Sequence, residues 1–569
     1  MISARRKRIF LSLFCLSFTL ATAFLFWKCK FGFAQIDESF YLTIPFRLCQ
    51  GDSLFLHEWN LSQLSSILLY PVVWLYRFFS HDTVGVLYHF RLIFTFVWVI
   101  VALFLFIRMR SFSLVGAMLA SFAFLFYTPF GIMALSYNSM GILLLVCACT
   151  LAANFECSET TWFFSGVFLA GAVLCCPYLL VLYVLLTAAT FGVLIRRQKG
   201  AIRCWLFLSF GCGLMLVLFC LLLFSRASIR DLVVVFPELF PDPAHPDFSF
   251  LSKLDAYVED ILFCNRAFIP GMFVFALSCI LAFWEKGRKI GFCLVCLATS
   301  LILLCFVFEK PYLNYLMFPI NMPGLYCALI SRDRNVRRLF FGFWLPGGIY
   351  SFCSHFASNQ EFYAISSAST VMTIASIMIL VCHLCEQDWQ DNTFLFSRKA
   401  ACFAFALLIS VQICGEIYLR YTSVFWEGGM HEQTVLAESG PEKGILMRPE
   451  RLQEYELHEK DIAVIRDAES IQKVLFLSRY TYLYLSAQKE YATYSAWLSG
   501  VNALTIKRLD RYYELSPEKT PDGIYIESKF SEYAEHFLAK GYFVAAELPS
   551  GALWLTRNPN DSNNMAIQQ

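Results

Sequence analysis

The sequence predicts a polytopic α-helical membrane protein that ends in a small α/β domain, and three observations lead there. Of its 569 residues, 58% are hydrophobic and only 15% charged, with a mean hydropathy of +0.58, whereas about a quarter of residues are charged in soluble proteins. About 13 apolar stretches reach or approach the roughly 20 residues that a bilayer crossing requires. After Tyr418 the composition turns abruptly soluble.

Taken in order, the apolar stretches are Ile9–Trp27, Val84–Ile107, Phe112–Phe126, Met140–Ala153, Trp162–Cys175, Tyr178–Ile195 and Cys204–Phe224. They continue with Phe268–Trp284, Ile290–Phe308, Tyr312–Ile330, Leu339–Phe356, Phe362–Leu384 and Ala400–Tyr418. The first is long enough to span and is followed by Lys28 and Lys30, with no small-residue cleavage site, so it reads as a span and not as a signal peptide. Lys and Arg gather on the cytoplasmic side of membrane proteins. Alternate loops here are basic: ARRKR at 4–8, RMR at 108–110, RRQKGAIR at 196–203, EKGRK at 285–289, SRDRNVRR at 331–338 and Arg398–Lys399. This pattern places the N-terminus inside and the C-terminus outside. The cations are scattered through short loops, which excludes a stripe that could follow a nucleic-acid backbone.

Two outer loops are long, 28–83 and 225–267. The first includes an amphipathic piece, LSSILLYPVVWLYRFF, that suits the membrane surface. In the second, prolines break any helix until an amphipathic stretch begins near Phe250. Residues 1–418 thus form the membrane domain and 419–569 an extracytoplasmic one. In the latter, strand-like runs (DIAVI, KVLFLS, DGIYIE, YFVAAEL, ALWLT) alternate with helical ones (VNALTIKRLDRYYEL, SEYAEHFLAKGY), a pattern expected to fold as a unit, with a disordered tail from about Asn560. All 22 cysteines precede that domain, so it folds without disulfides, as suits a bacterial surface. Cys49 and Cys264 both fall in outer loops, where their pairing stays open.

Chemistry is then sought among outer polar residues. Asp37 and Glu38 lie side by side just past the first span, in QIDESFYLTIPFRLCQGDSLFLHEWNLSQ. A carboxylate fixed at the water boundary, with burial and a neighbouring acid raising its pKa, suits a general base for a hydroxyl acceptor; the bland alternative is a solvated acid pair. Glu58 is a further acid of this loop, and with Glu238, Asp242 and Asp247 leaves a metal site open, though their spacing is unspecific. A phosphate leaving group needs cations. The outer supply is Arg47, Arg77, Arg226, Arg230, Lys253, Arg266 and Lys310, beside the interfacial anchors Lys28 and Lys30. Arg266 and Lys310 are the best placed. Arg91 lies inside the second stretch, where ionisable groups are costly and often functional.

The run DESFYLTIPFRLCQGDSLFLHEW after a first span, the LSYNSMG turn at 135–141, two long outer loops, an odd span count and an exported α/β tail together resemble the bacterial GT-C glycosyltransferases, related to protein O-mannosyltransferases and lipid A aminoarabinose transferases. The resemblance implies a GT-C membrane fold and transfer of a sugar from a polyprenyl-phosphate donor to an envelope glycan, lipid or protein acceptor at the outer face of the plasma membrane. It assigns the base to Asp37, with Glu38 beside it; the candidate substrate contacts are Glu58, Lys253, Arg266, Lys310 and Tyr137. The turn YTPFGIMALSY holds no acid, which argues against the divalent metal that oligosaccharyltransferases of this fold use; no other cofactor is implied. The rival readings are a lipid or glycan transporter, which would place charges near the bilayer midplane, and a non-catalytic surface-binding relative.

Overall fold

A computed structural model describes residues 4–34, 36–153, 158–195, 199–240, 249–386, 397–425, 427–498 and 500–557. Every one of the apolar stretches above is helical. The N-terminal part comprises α1 (Ala4–Lys28), α2 (Asp37–Cys49), α3 (Ser66–Ser80), α4 (Val86–Met109), α5 (Leu114–Phe126), α6 (Tyr137–Ala152), α7 (Glu159–Cys175), α8 (Leu180–Ile195) and α9 (Lys199–Phe224). There follow α10 (Ile229–Val235), α11 (Phe250–Leu262), α12 (Phe268–Leu281), α13 (Glu285–Glu309), α14 (Asn321–Ile330), α15 (Arg334–Leu339), α16 (Leu345–Phe356), α17 (Glu361–Ala368), α18 (Thr370–Glu386) and α19 (Arg398–Thr422).

The chain is a helical membrane protein. Among the described residues six helices are long and apolar enough to cross a bilayer, or seven when α17 and α18, bent by 48° at their junction, count as one. Five shorter apolar helices accompany them, among them α5, α6, α7 and α12. The crossings expected at Phe112–Phe126, Met140–Ala153 and Trp162–Cys175 fall in this shorter class. Helix packing relies on small residues, which let backbones approach where no hydrophobic driving force acts. At Gly166 of α7 an added Cβ would run into the backbone carbonyl of Leu208 on α9.

Both amphipathic segments fold as the sequence suggests. Helix α3 buries Leu69 and Val73 and exposes Trp74, Leu75, Phe78 and Phe79, and α11 starts at Phe250 with no buried residue. Asp242 and Asp247, and the tail from about Asn560, lie outside the described residues. Cys49 and Cys264 are both free thiols.

After α19 come β1 (Val435–Leu436), β2 (Leu446–Met447), α20 (Pro449–Asp467), β3 (Lys473–Leu477), α21 (Tyr482–Ala487), β4 (Glu490–Tyr491), α22 (Ala503–Leu515), β5 (Gly523–Ile526), α23 (Ala534–Leu538), β6 (Phe543–Glu547) and β7 (Leu553–Thr556). A five-stranded sheet runs in the order β4-β3-β5-β7-β6. Strand β3 is parallel to β4 and β5, while β7 is antiparallel to β5 and β6. The DIAVI run, read as a strand from its apolar residues, is instead the last part of α20. There Tyr455, His458, Asp461, Ile462 and Ile465 form a buried stripe at helical spacing.

This α/β region does not close its core alone. Phe33, Leu42 and Phe46, Val73, and Val86, Leu87 and Phe90 share one buried cluster with Tyr455, Ile462, Phe476, Tyr482 and Trp554. The segment before α2 also pairs with it. The Gly32 N–H donates to the Leu446 carbonyl at 2.7 Å, and the Leu446 N–H donates to the Lys30 carbonyl at 2.6 Å. Gly32 has φ +73°, and a side chain there would collide with Val424, so glycine is required on both counts. Residues 429–569 expressed alone are therefore expected to expose this apolar face and aggregate. A soluble, cooperatively unfolding fragment in size-exclusion chromatography and thermal melts would show that the shared core is dispensable.

Candidate functional site

Helix α2 carries Asp37 and Glu38 in its first turn, and the Ile36 before them provides no side-chain cap. The α/β region holds this turn in place. Thr481, at the start of α21, donates from Oγ1 to the Ile36 carbonyl at 2.8 Å, and its hydroxyl lies 2.6 Å from that of Ser39. Phe40 packs on Trp497 with ring centroids 4.9 Å apart.

The two acids are used differently. Glu38 is buried and receives both ends of the Arg91 guanidinium, Nη2 at 2.6 Å and Nε on the other oxygen. Arg91 also donates to the carbonyls of Cys29 at 3.0 Å, Phe31 at 3.3 Å and Gly32 at 2.6 Å. A buried, bidentate, fully engaged pair is a structural joint between α2, α4 and the segment that leads from α1 into α2. Arg91, singled out above as a costly charge, is thus Glu38's counterion.

Asp37 is half-buried, and among the described residues no cation pairs with it. Burial pushes its pKa up to about 6. Its position at a helix start favours the ionised form by only about 0.3–1 kcal/mol, so desolvation wins. The Asp37 carboxyl lies close enough for its charge to act on the hydroxyls of Tyr41, Tyr137 and Tyr363. Tyr41 and Tyr137 meet edge-on at 5.9 Å, and Tyr363 meets Phe130 edge-on at 4.9 Å.

Tyr363 and Phe130 also line a cavity of about 550 Å³, within the roughly 300–1,000 Å³ of small-molecule sites. Its walls continue through Tyr312, Arg420 and Phe425 to Gly428 and Glu432. Arg420 is the residue that sequence reasoning missed. A boundary at Tyr418 assigns it to the soluble tail, whereas α19 runs on to Thr422 and buries it.

The other expected site residues are engaged elsewhere. Glu58 is buried and accepts from Arg47 Nη1 at 3.1 Å and from the Asn60 N–H at 3.1 Å. Arg47 binds Asp52 through Nε and reaches the Thr493 carbonyl at 2.6 Å and the Tyr512 hydroxyl at 2.9 Å through Nη2. Burial raises the Glu58 pKa against the pull of Arg47. Asp52 is held below its ordinary value because Arg47 and Lys519 outweigh its burial. This buried cluster bolts the loop after α2 to the α/β region.

Arg266 pairs with Glu309 on the surface. Lys310 donates to the Cys264 carbonyl at 2.8 Å, and Lys253 donates to the Ser358 carbonyl at 2.7 Å and to Asn359 at 2.9 Å. Of the expected contacts, only Tyr137 stands with Asp37. Glu238 receives Arg511 at 3.0 Å, and among the described residues no three His, Cys, Asp or Glu side chains converge as a metal site would require. No protein-family model matches the chain, and no curated protein matches it.

Proposed function

We propose that the protein is a GT-C-type membrane glycosyltransferase that moves a sugar from a polyprenyl-phosphate donor to an extracytoplasmic acceptor. The observation that carries this reading is Asp37: a half-buried carboxyl, unpaired among the described residues, whose burial raises its pKa to about 6 and whose charge acts on Tyr363, a wall residue of the cavity. A general base works best with a pKa close to the working pH. In the reaction Asp37 takes the proton of the acceptor hydroxyl, and the oxygen attacks the anomeric carbon from the face opposite the phosphate. The carbon–oxygen bond to phosphate breaks, and the lipid phosphate leaves with the electron pair. The configuration inverts. Phosphate departs without general acid, so a single carboxylate suffices, unlike in inverting glycosidases. The aromatic rings offer apolar faces to the sugar, and Glu38 positions α2 through Arg91 without entering the chemistry.

The same reading takes the apolar helices as about 13 spans in the bacterial plasma membrane, with the N-terminus cytoplasmic and residues 419–569 outside. A reporter fused after Thr422 is then expected to be exported, and one fused within 331–338 to remain cytoplasmic; a cytoplasmic C-terminus would put Asp37 on the wrong side for an outer-leaflet donor. The functional test is consumption of polyprenyl-phosphate sugars by membranes containing the wild-type chain. If none of a panel of such donors is consumed, the reading is lost.

A further inference from the structure

Arg420 is 2% exposed, and among the described residues its Nε has no hydrogen-bond partner. A guanidinium without a counterion in such a place costs several kcal/mol of desolvation, so a folded chain keeps one only where something else repays the cost. Among the described residues nothing supplies that repayment. The nearby charges are the cations Lys28 and Arg91 and the carboxylate of Glu38, and the last two saturate each other. Lys28 sends its ammonium to the backbone carbonyls of Arg420 and Ser423, the latter at 3.0 Å, and so covers the C-terminal end of α19. Glu416, one turn earlier on α19, accepts from Gln412 at 2.6 Å instead. Glu432, on the cavity wall, accepts the Gly429 N–H at 2.8 Å and stands 3.9 Å from Arg448.

The local balance is an excess of positive charge facing an empty volume of about 550 Å³. The remaining lining has a distinct character. Tyr312, Tyr363, Phe130 and Phe425 are aromatic, and Tyr418, Leu419 and Thr422 form the last turn of a helix long and apolar enough to cross a membrane. A ligand for this cavity is anionic at Arg420, amphipathic beyond it, and reaches the site at the level where a span ends. Guanidinium forks match phosphate oxygens, which they bind through paired charge-assisted hydrogen bonds.

We infer that Arg420, backed by the Lys28 ammonium, is the binding site for the phosphate group of a phosphate ester in this cavity. The assignment of that ester as the donor of the glycosyl transfer rests on the reading above; the anion site does not. It follows that the outer-loop cations Arg266, Lys310 and Lys253, all engaged with protein oxygens, are not what holds the phosphate.

The test uses the full-length protein in detergent with three probes: a polyprenyl phosphate, the uncharged polyprenol of the same length, and inorganic phosphate. Binding is read as a shift of the melting temperature and as an affinity by titration. Polyprenyl phosphate is expected to stabilise the wild-type protein and polyprenol not to. Arg420→Met is expected to melt no lower than wild type without ligand, since it removes a buried charge for which the described residues supply no counterion, and to lose roughly 10- to 100-fold in affinity. Arg420→Lys, which keeps the charge but not the fork, is expected to fall between, and it serves if the Met variant does not fold. Inorganic phosphate binding as tightly as the lipid, with the same dependence on Arg420, would support the anion site with a soluble phosphate as its source. Wild-type affinity of the Arg420 variants for both phosphate probes would overturn the proposal. Arg420-dependent phosphate binding without any sugar transfer would leave the site and remove the glycosyltransferase reading, whereas transfer unaffected by Arg420→Met would do the reverse.

Discussion

Asp37→Asn is expected to reduce turnover by about 100-fold or more, the usual contribution of a general base, while leaving donor affinity nearly unchanged because the lost interaction belongs to the transition state. The wild-type rate should climb with pH through about 6 and level off above it, since the carboxyl is useful only when ionised. Stability should move in the opposite sense. The folded-state pKa of about 6 stands above the ordinary 3.8, so ionising Asp37 opposes folding. That penalty is absent below the unfolded value and complete above about 6. Removing it with Asn should therefore stabilise the protein at pH 7–8, by on the order of 2 kcal/mol, and change little at pH 3. Initial rates against donor concentration, paired with thermal melts at both pH values, check the two halves independently. Near-normal turnover would dismiss the base, and a variant that fails only in donor affinity would make Asp37 a binding group.

The second large effect is structural. Arg47→Ala leaves Asp52 and Glu58 buried without their shared cation, and breaking a buried ion pair from one side costs about 3–5 kcal/mol. Lys519 still reaches Asp52, so the greater cost falls on Glu58. Arg47 touches both the loop after α2, at Asp52 and Glu58, and, at Thr493 and Tyr512, the α/β region. The variant should accordingly lose protease resistance after Thr422 before the helical part melts. Adding Glu58→Gln to Arg47→Ala should recover part of the loss. Equal melting of Arg47→Ala and wild type by calorimetry or limited proteolysis would show that the cluster bears no load.

How far the sequence reveals this arrangement depends on the range of the signal. Apolar runs identify the helices because hydrophobicity is local, and β3, β5, β6 and β7 are readable from β-rich runs for the same reason. DIAVI misleads because five residues of a helix, three of them on its buried stripe, look like a strand when the turns before it are polar. Asp37 is legible as a candidate from its position past a first span, and its separation from Glu38 is not, since the partner that claims Glu38 lies 53 residues away. Glu58, Lys253, Arg266 and Lys310 meet the chemical requirement for substrate contacts, and the structure commits each to protein atoms that no spacing rule connects. Arg420 is hidden by a boundary drawn where polarity begins, four residues before the helix ends.

The contact between Thr481 and the first turn of α2 has a consequence for biosynthesis. Ser39 and Thr481 are 442 residues apart in the chain, and Arg47 and Thr493 are 446 apart. At roughly 5–20 residues per second of synthesis, α2 emerges about 20–90 seconds before the strands and helix that complete its surroundings. For that interval Phe33, Leu42 and Phe46 lack the part of their buried cluster that Tyr455, Phe476 and Tyr482 supply, and Arg47 lacks Thr493 and Tyr512. The first turn of α2 is therefore fixed by the last quarter of the chain, and a ribosome that stops short of Thr481 releases a product in which Asp37 is present while its helix start lacks the contact that holds it.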